Sequence, residues 1–169
     1  MRLLRKWSVW EHSKGGIVNF VPNSLTLLGS VTLRVEPPEC FLLFSPEGER
    51  RWVPGWKPDL LYPIGVEWAE GQLFRSREEF GDAIWIVSKL DRLGWNVLYY
   101  RVEPGRYVAN INIRVIQIED ARSKAIIAYS FVGLSEARNS EIASMSQSAF
   151  DEKMRRWSDW LEACLSQKE

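Results

Sequence analysis

A chain of 169 residues has the length of one domain with a sizeable core. Its 46% hydrophobic and 26% charged shares are ordinary for a globular protein, and 22 Lys+Arg against 22 Asp+Glu leave no global field to draw nucleic acid or an anionic membrane. Nine Trp, seven Phe and five Tyr are the unusual feature, since large rings either fill cores or line apolar pockets.

Cys40 and Cys164 are far apart, which gives no disulfide framework and no CxxC spacing. The start, Met1-Arg2-Leu3-Leu4-Arg5-Lys6-Trp7, is basic but lacks the apolar stretch of a signal peptide. No apolar run approaches the roughly 18 residues of a membrane span. These features predict a reduced, cytoplasmic location, with no metal and no cofactor.

In chain order, residues 1–23 are basic and aromatic, and Gly15-Gly16 and Pro22 break any periodicity, so they are expected to form an N-terminal extension. The domain proper is expected over residues 24–169. Ser24 to Val35 alternates as a strand, with Gly29 a candidate bulge, and Pro37-Pro38 ends it. The apolar cluster Cys40–Phe44 suits a buried helical turn or two. Ser45-Pro46 then reads as a capping hydroxyl with proline at the first helical position, and Pro54-Gly55 stops that second short helix near Trp52.

From Ile64 the period becomes two. Strands are expected over Ile64–Glu70, Gln72–Ser76, Asp82–Leu90, Asn96–Glu103, Tyr107–Glu119 and Lys124–Leu134. Their short, turn-like links predict antiparallel hairpins. In the longest, Ala109, Ile111, Ile113 and Val115 face one way, while Asn110, Asn112 and Arg114 face the other. A last helix, capped by Asn139 or Ser140 and running to Ser166, would span about 40 Å at 1.5 Å per residue. Its apolar stripe is Ile142, Met145, Ala149, Phe150, Met154, Trp157, Leu161 and Cys164.

This order resembles the α+β helix-grip fold, a curved antiparallel β-sheet wrapped around a long C-terminal α-helix, with two short helices after the first strand. The family is the START/Bet v 1-like (SRPBCC) superfamily, which includes polyketide cyclases and aromatases, lipid-transfer domains and chaperone-ATPase activators. Phe44-Ser45-Pro46-Glu47-Gly48-Glu49, Trp52-Val53-Pro54-Gly55-Trp56, Glu70-Gly71-Gln72-Leu73-Phe74, Trp85-Ile86-Val87 and Tyr99 to Gly105 look like its bacterial polyketide cyclase/dehydrase-like branch, as do Tyr129 and Leu134-Ser135. The resemblance covers residues 25–166. It implies a cavity between sheet and long helix, but carries no universal catalytic motif.

His12, the sole histidine, cannot make a zinc site alone, and Cys40 in its apolar cluster reads as a small hydrophobe. Glu47, Glu49, Arg50 and Arg51 read as a solvated charge run. Tyr99 and Arg101 share a strand face that Trp85 and Tyr129 could join across neighbouring strands. That face either lines a pocket for a ligand with an apolar body and one carboxylate, phenolate or carbonyl, or packs, with Arg101 paired to Glu103 or Glu119.

The expected function is binding of a small apolar or aromatic ligand by Trp68, Phe74, Trp85, Tyr99, Arg101, Ile111, Ile113, Tyr129 and Trp157, with the Trp52–Trp56 loop at the cavity mouth. Two alternatives stand beside it. One is an aromatase/cyclase-like enzyme using Tyr99, Arg101 and Tyr129. The other is a protein-interaction module using a sheet edge or residues 1–23. The pattern does not fix the oligomeric state.

Overall fold

The computed structural model describes residues 20–78 and 81–167; the expected extension lies outside them apart from residues 20–23, and His12 with it. The element order is β1 (Ser24–Leu33), α1 (Pro37–Leu42), α2 (Pro46–Glu49), β2 (Asp59–Tyr62), β3 (Leu73–Glu78), β4 (Gly81–Asp91), β5 (Asn96–Glu103), β6 (Tyr107–Glu119), β7 (Arg122–Gly133), α3 (Glu136–Ser144) and α4 (Gln147–Ser166). The strands form one antiparallel sheet in the order β1-β7-β6-β5-β4-β3-β2. This is the helix-grip arrangement.

Alternation decides which sheet face is dry. On β6, Ala109, Ile111, Ile113 and Val115 are buried, while Asn110 and Asn112 are half-buried and Arg114 is exposed. Ala125, Ile127 and Tyr129 of β7 and Trp85 and Val87 of β4 continue the buried face. Each fully buried large apolar side chain there stabilises the fold by ~1.5–3 kcal/mol.

Pro37-Pro38 opens a helix as well as closing a strand. Proline lacks the N–H that a first helical turn leaves unbonded, so α1 begins at Pro37, earlier than the expected Cys40. At α2 the Ser45 hydroxyl accepts from the Gly48 N–H at 2.9 Å, as the Ser-Pro pair predicts.

Four expectations are corrected. Residues 64–70 are loop, and β2 lies upstream at Asp59–Tyr62, because Ile64 and Val66 alternate without a strand partner and stay exposed. The last helix is broken. Met145 is extended (ψ 141°) and Ser146 caps α4 afresh, its hydroxyl accepting from the Ala149 N–H. The 20 residues of α4 therefore span about 30 Å rather than 40 Å.

Asn139 caps nothing. Buried inside α3, its side chain accepts from the Asn23 N–H and donates to the Val21 carbonyl, both at 2.8 Å, tying the segment before β1 to the helix. Gly29 is no bulge, since the β1–β7 register runs unbroken past it. The glycine makes room for α4: a Cβ there would sit 2.5 Å from Met154 Cγ and 2.9 Å from Phe150 Cε1.

The α4 stripe buries Phe150, Met154, Trp157 and Leu161, but Ala149 is exposed in the first turn. The Gln147 amide donates to the Leu28 carbonyl at 2.7 Å and accepts from its N–H at 3.3 Å. These bonds pin the start of α4 to the edge of β1. Phe150 and Met154 then pack α4 against β1, and a gap opens between its Lys153–Trp160 side and the strands β4–β7.

Candidate functional site

That gap is a cleft of about 460 Å³ between α4 and the concave face of β4–β7. Trp85, Tyr99, Ile111, Ile113 and Tyr129 form its floor, with Phe131 and Tyr107 toward one end. Trp157 and Trp160 supply the helical wall, Met145 of the α3–α4 link stands beside them, and Val53 and Trp56 close the side beyond α2. Its charged groups are Glu49, Arg101, Lys153 and Arg156.

Seven of the residues expected from sequence thus meet in one place: Trp85, Tyr99, Arg101, Ile111, Ile113, Tyr129 and Trp157. Phe74 stands behind the lining, 1% exposed, stacked on Trp85 at 5.5 Å and edge-on to Trp56 at 6.2 Å. Trp68 stacks against Tyr99 at 6.4 Å and borders a separate cavity of about 340 Å³ with Leu60, Gln72 and Arg92. The loop expected at the mouth divides by role. Val53 and Trp56 line the cleft, while Trp52 is a buried pillar, edge-on to Trp157 at 5.2 Å, its indole N–H donating to the Leu43 carbonyl at 2.7 Å.

The polar groups are less available than strand alternation suggests. The Tyr99 hydroxyl donates to the Phe44 carbonyl at 2.9 Å. Burial, then the nearby Glu49 charge, pushes its pKa well above the usual phenol value, so it stays a neutral donor. Arg101 forms an ion pair with Glu103 and donates to the Tyr107 hydroxyl, its guanidinium 5.5 Å from the Trp85 ring centroid. Glu103 also holds Arg106 Nε at 2.7 Å. Of the two partners open to Arg101, Glu103 is the one used; Glu119 pairs with Arg122.

Two functional candidates escaped the sequence reading. Glu49 was expected on a solvated face. Glu47 does behave so, exposed and paired with Arg50 at 2.8 Å, but Glu49 turns inward and lines the cleft half-buried. Burial lifts its pKa from the usual 4.5 to about 8, with Lys153 pulling the other way. The signal was geometric: at about 100° per residue, positions 47 and 49 of one helical turn point to nearly opposite sides.

Lys153 is the second. It sits between Phe150 and Trp157 on the apolar stripe, so it shares their inward face. Its ammonium lies 4.5 Å from the Tyr129 ring centroid, 5.0 Å from Trp157 and 5.9 Å from Phe150. Among the described residues no group of three His, Cys, Asp or Glu could hold a metal ion, and no helix is long and apolar enough to cross a membrane.

No family model matches the chain, and no curated relative matches it. Solved structures share its fold at low identity. Norcoclaurine synthase from Thalictrum flavum, solved in complex with dopamine and hydroxybenzaldehyde, is 10% identical over 95% of this chain and 98% of its own, with a TM-score of 0.62. Ara h 8.0201 is 12% identical over 85% and 99%, TM-score 0.61. Hypothetical protein jhp0584 from Helicobacter pylori is 10% identical over 95% and 98%, TM-score 0.66.

Proposed function

We propose that this protein binds a small apolar or aromatic molecule in the cleft between the sheet and α4. The observation that carries this reading is the cleft itself, about 460 Å³ walled mainly by rings and aliphatic side chains, with a few convergent polar groups. Sites for small molecules have that composition and size. Norcoclaurine synthase, of the same fold, is solved with two small aromatic compounds, which agrees in ligand class.

The domain doing this work would be residues 24–169, with residues 1–23 an extension. Its motifs place it in the polyketide cyclase/dehydrase-like branch under this reading, by resemblance. Residence in the cytoplasm fits the two free thiols, Cys40 and Cys164. An aromatase/cyclase reaction through Tyr99, Arg101 and Tyr129 draws less support, because Phe44 and Glu103 already engage the first two of those groups.

The test is titration with N-phenyl-1-naphthylamine, an uncharged probe that fluoresces in apolar surroundings. One probe should bind per chain, and Val53→Trp, which fills one side of the cleft, should weaken binding at least about tenfold. A wild-type protein that leaves the probe dark, or a variant that binds it equally well, would overturn the reading.

A further inference from the structure

The second cavity, about 340 Å³, lies outside the cleft, between the α1–α2 segment and the loop that precedes β3. Leu42, Pro46, Leu60, Val66 and Trp68 give it apolar walls, a size and composition that suit a small molecule. Leu42 and Val66 are 51% and 42% exposed, so its mouth is apolar too. Trp68, expected from sequence to meet a ligand in the main site, lines this one instead.

Gln72, 1% exposed, is the least exposed polar residue of the lining. Its backbone is satisfied, the N–H by the Ala69 carbonyl at 3.2 Å and the carbonyl by the Val87 N–H at 2.9 Å. Its side-chain amide oxygen is buried and has no hydrogen-bond partner among the described residues. Two donors of the same lining are bonded elsewhere: the Ser45 hydroxyl donates to the Leu42 carbonyl at 2.8 Å, and Arg92 donates to the Trp68 carbonyl. A buried acceptor without a donor has lost its hydration and gained nothing in return, so the position suits a donor that arrives with a ligand.

Charge decides which donor. The carboxylates of the lining, Glu47 and Glu67, are both exposed, and Glu47 already pairs with Arg50 at 2.8 Å. An ammonium carried in to Gln72 would therefore be buried without a counter-ion. A hydroxyl donates there without that cost.

We propose that this cavity is a second ligand site, taking a small apolar or aromatic alcohol whose O–H donates to the Gln72 amide oxygen while its body packs on Trp68, Leu60 and Val66. The site is separate from the cleft under α4, so neither reading stands or falls with the other.

Titration with benzyl alcohol and with benzyl methyl ether, which keeps the ring and loses the donor, tests it through the indole N–H signal of Trp68 in a two-dimensional ¹H–¹⁵N spectrum. The alcohol should move that signal to saturation and bind at least about tenfold more tightly than the ether. In Gln72→Leu, which removes the acceptor at similar size, the alcohol should bind no better than the ether, and the midpoint of thermal unfolding should not fall, since no hydrogen bond of the side-chain oxygen is lost. Val66→Trp, at the exposed mouth, should block the alcohol, and decides the matter if Gln72→Leu does not fold. Alcohol and ether that bind equally, as they would if a water held the Gln72 oxygen, would overturn the proposal. So would a Trp68 signal that neither ligand moves, or alcohol binding unchanged in Val66→Trp. The Trp157 and Trp160 signals of the same spectra report the cleft separately.

Discussion

Replacing Glu49 by glutamine keeps the shape of the side chain and removes its titration. In the folded protein this carboxyl holds its proton up to about pH 8, because burial disfavours the charged form more than Lys153 favours it; unfolded, it would ionise near 4.5. A group whose folded pKa is raised contributes stability that is fully present below the unfolded value and is lost as pH rises through the folded one. The window here runs from 4.5 to about 8, and each pH unit within it costs about 1.4 kcal/mol. The whole span is worth at most about 5 kcal/mol, a large fraction of the stability of a domain this size.

Urea unfolding at pH 5, 7 and 9, followed by tryptophan fluorescence, isolates the effect when wild type and Glu49→Gln are compared at each pH. The two should be close at pH 5. At pH 9 the variant should be the more stable, by less than that ceiling because solvent reaches the half-buried carboxyl, since it carries no charge that must be kept from water. A stability difference that stays constant from pH 5 to pH 9 would refute the inward, desolvated placement of Glu49.

Gly29→Ala should lower stability by about 1–3 kcal/mol, because its methyl would press on Met154 and Phe150 under α4; Met154→Ala in the same chain should recover part of that loss, read as midpoints of thermal unfolding. Burial, then Glu39, lifts the Cys40 thiol to about 12, so at pH 8 a thiol reagent should modify only Cys164 in the native protein and both cysteines after denaturation. Arg101→Met should leave binding of N-phenyl-1-naphthylamine within about twofold of wild type, since Arg101 is held by Glu103; a fall of about tenfold would make Arg101 a ligand anchor after all.

The parts of the fold legible in sequence are those where local pattern and tertiary need agree. Asn96–Glu103 and Tyr107–Glu119 alternate cleanly and are bounded by turns, and they form β5 and β6 over those same residues. Ser45-Pro46 announces α2 by local chemistry alone. The errors arise where distant partners decide. Ile64 and Val66 alternate like a strand but find no neighbour to bond, while the less patterned Asp59–Tyr62 pairs with β3.

Ser146 can either continue a helix or cap one, and its bond to the Ala149 N–H breaks what apolar spacing alone would join. The site divides in the same way. Strand alternation brings Trp85, Tyr99, Ile111, Ile113 and Tyr129 to one face, but it says nothing of α2, so Glu49 escapes notice. Lys153 hides differently, as a charged residue in a stripe read only for its apolar members.

If the cleft beneath α4, rather than any other surface, receives an apolar molecule, the tryptophan indole N–H signals report on it directly. In a two-dimensional ¹H–¹⁵N spectrum recorded during titration with 2-acetylnaphthalene, the signals of Trp56, Trp85, Trp157 and Trp160 should shift together and saturate. Those of Trp68, at the separate cavity, and Trp95, packed on Phe41, should hold still. Shifts centred on Trp68, or a spectrum unchanged at saturating ligand, would rule out the cleft as the binding site.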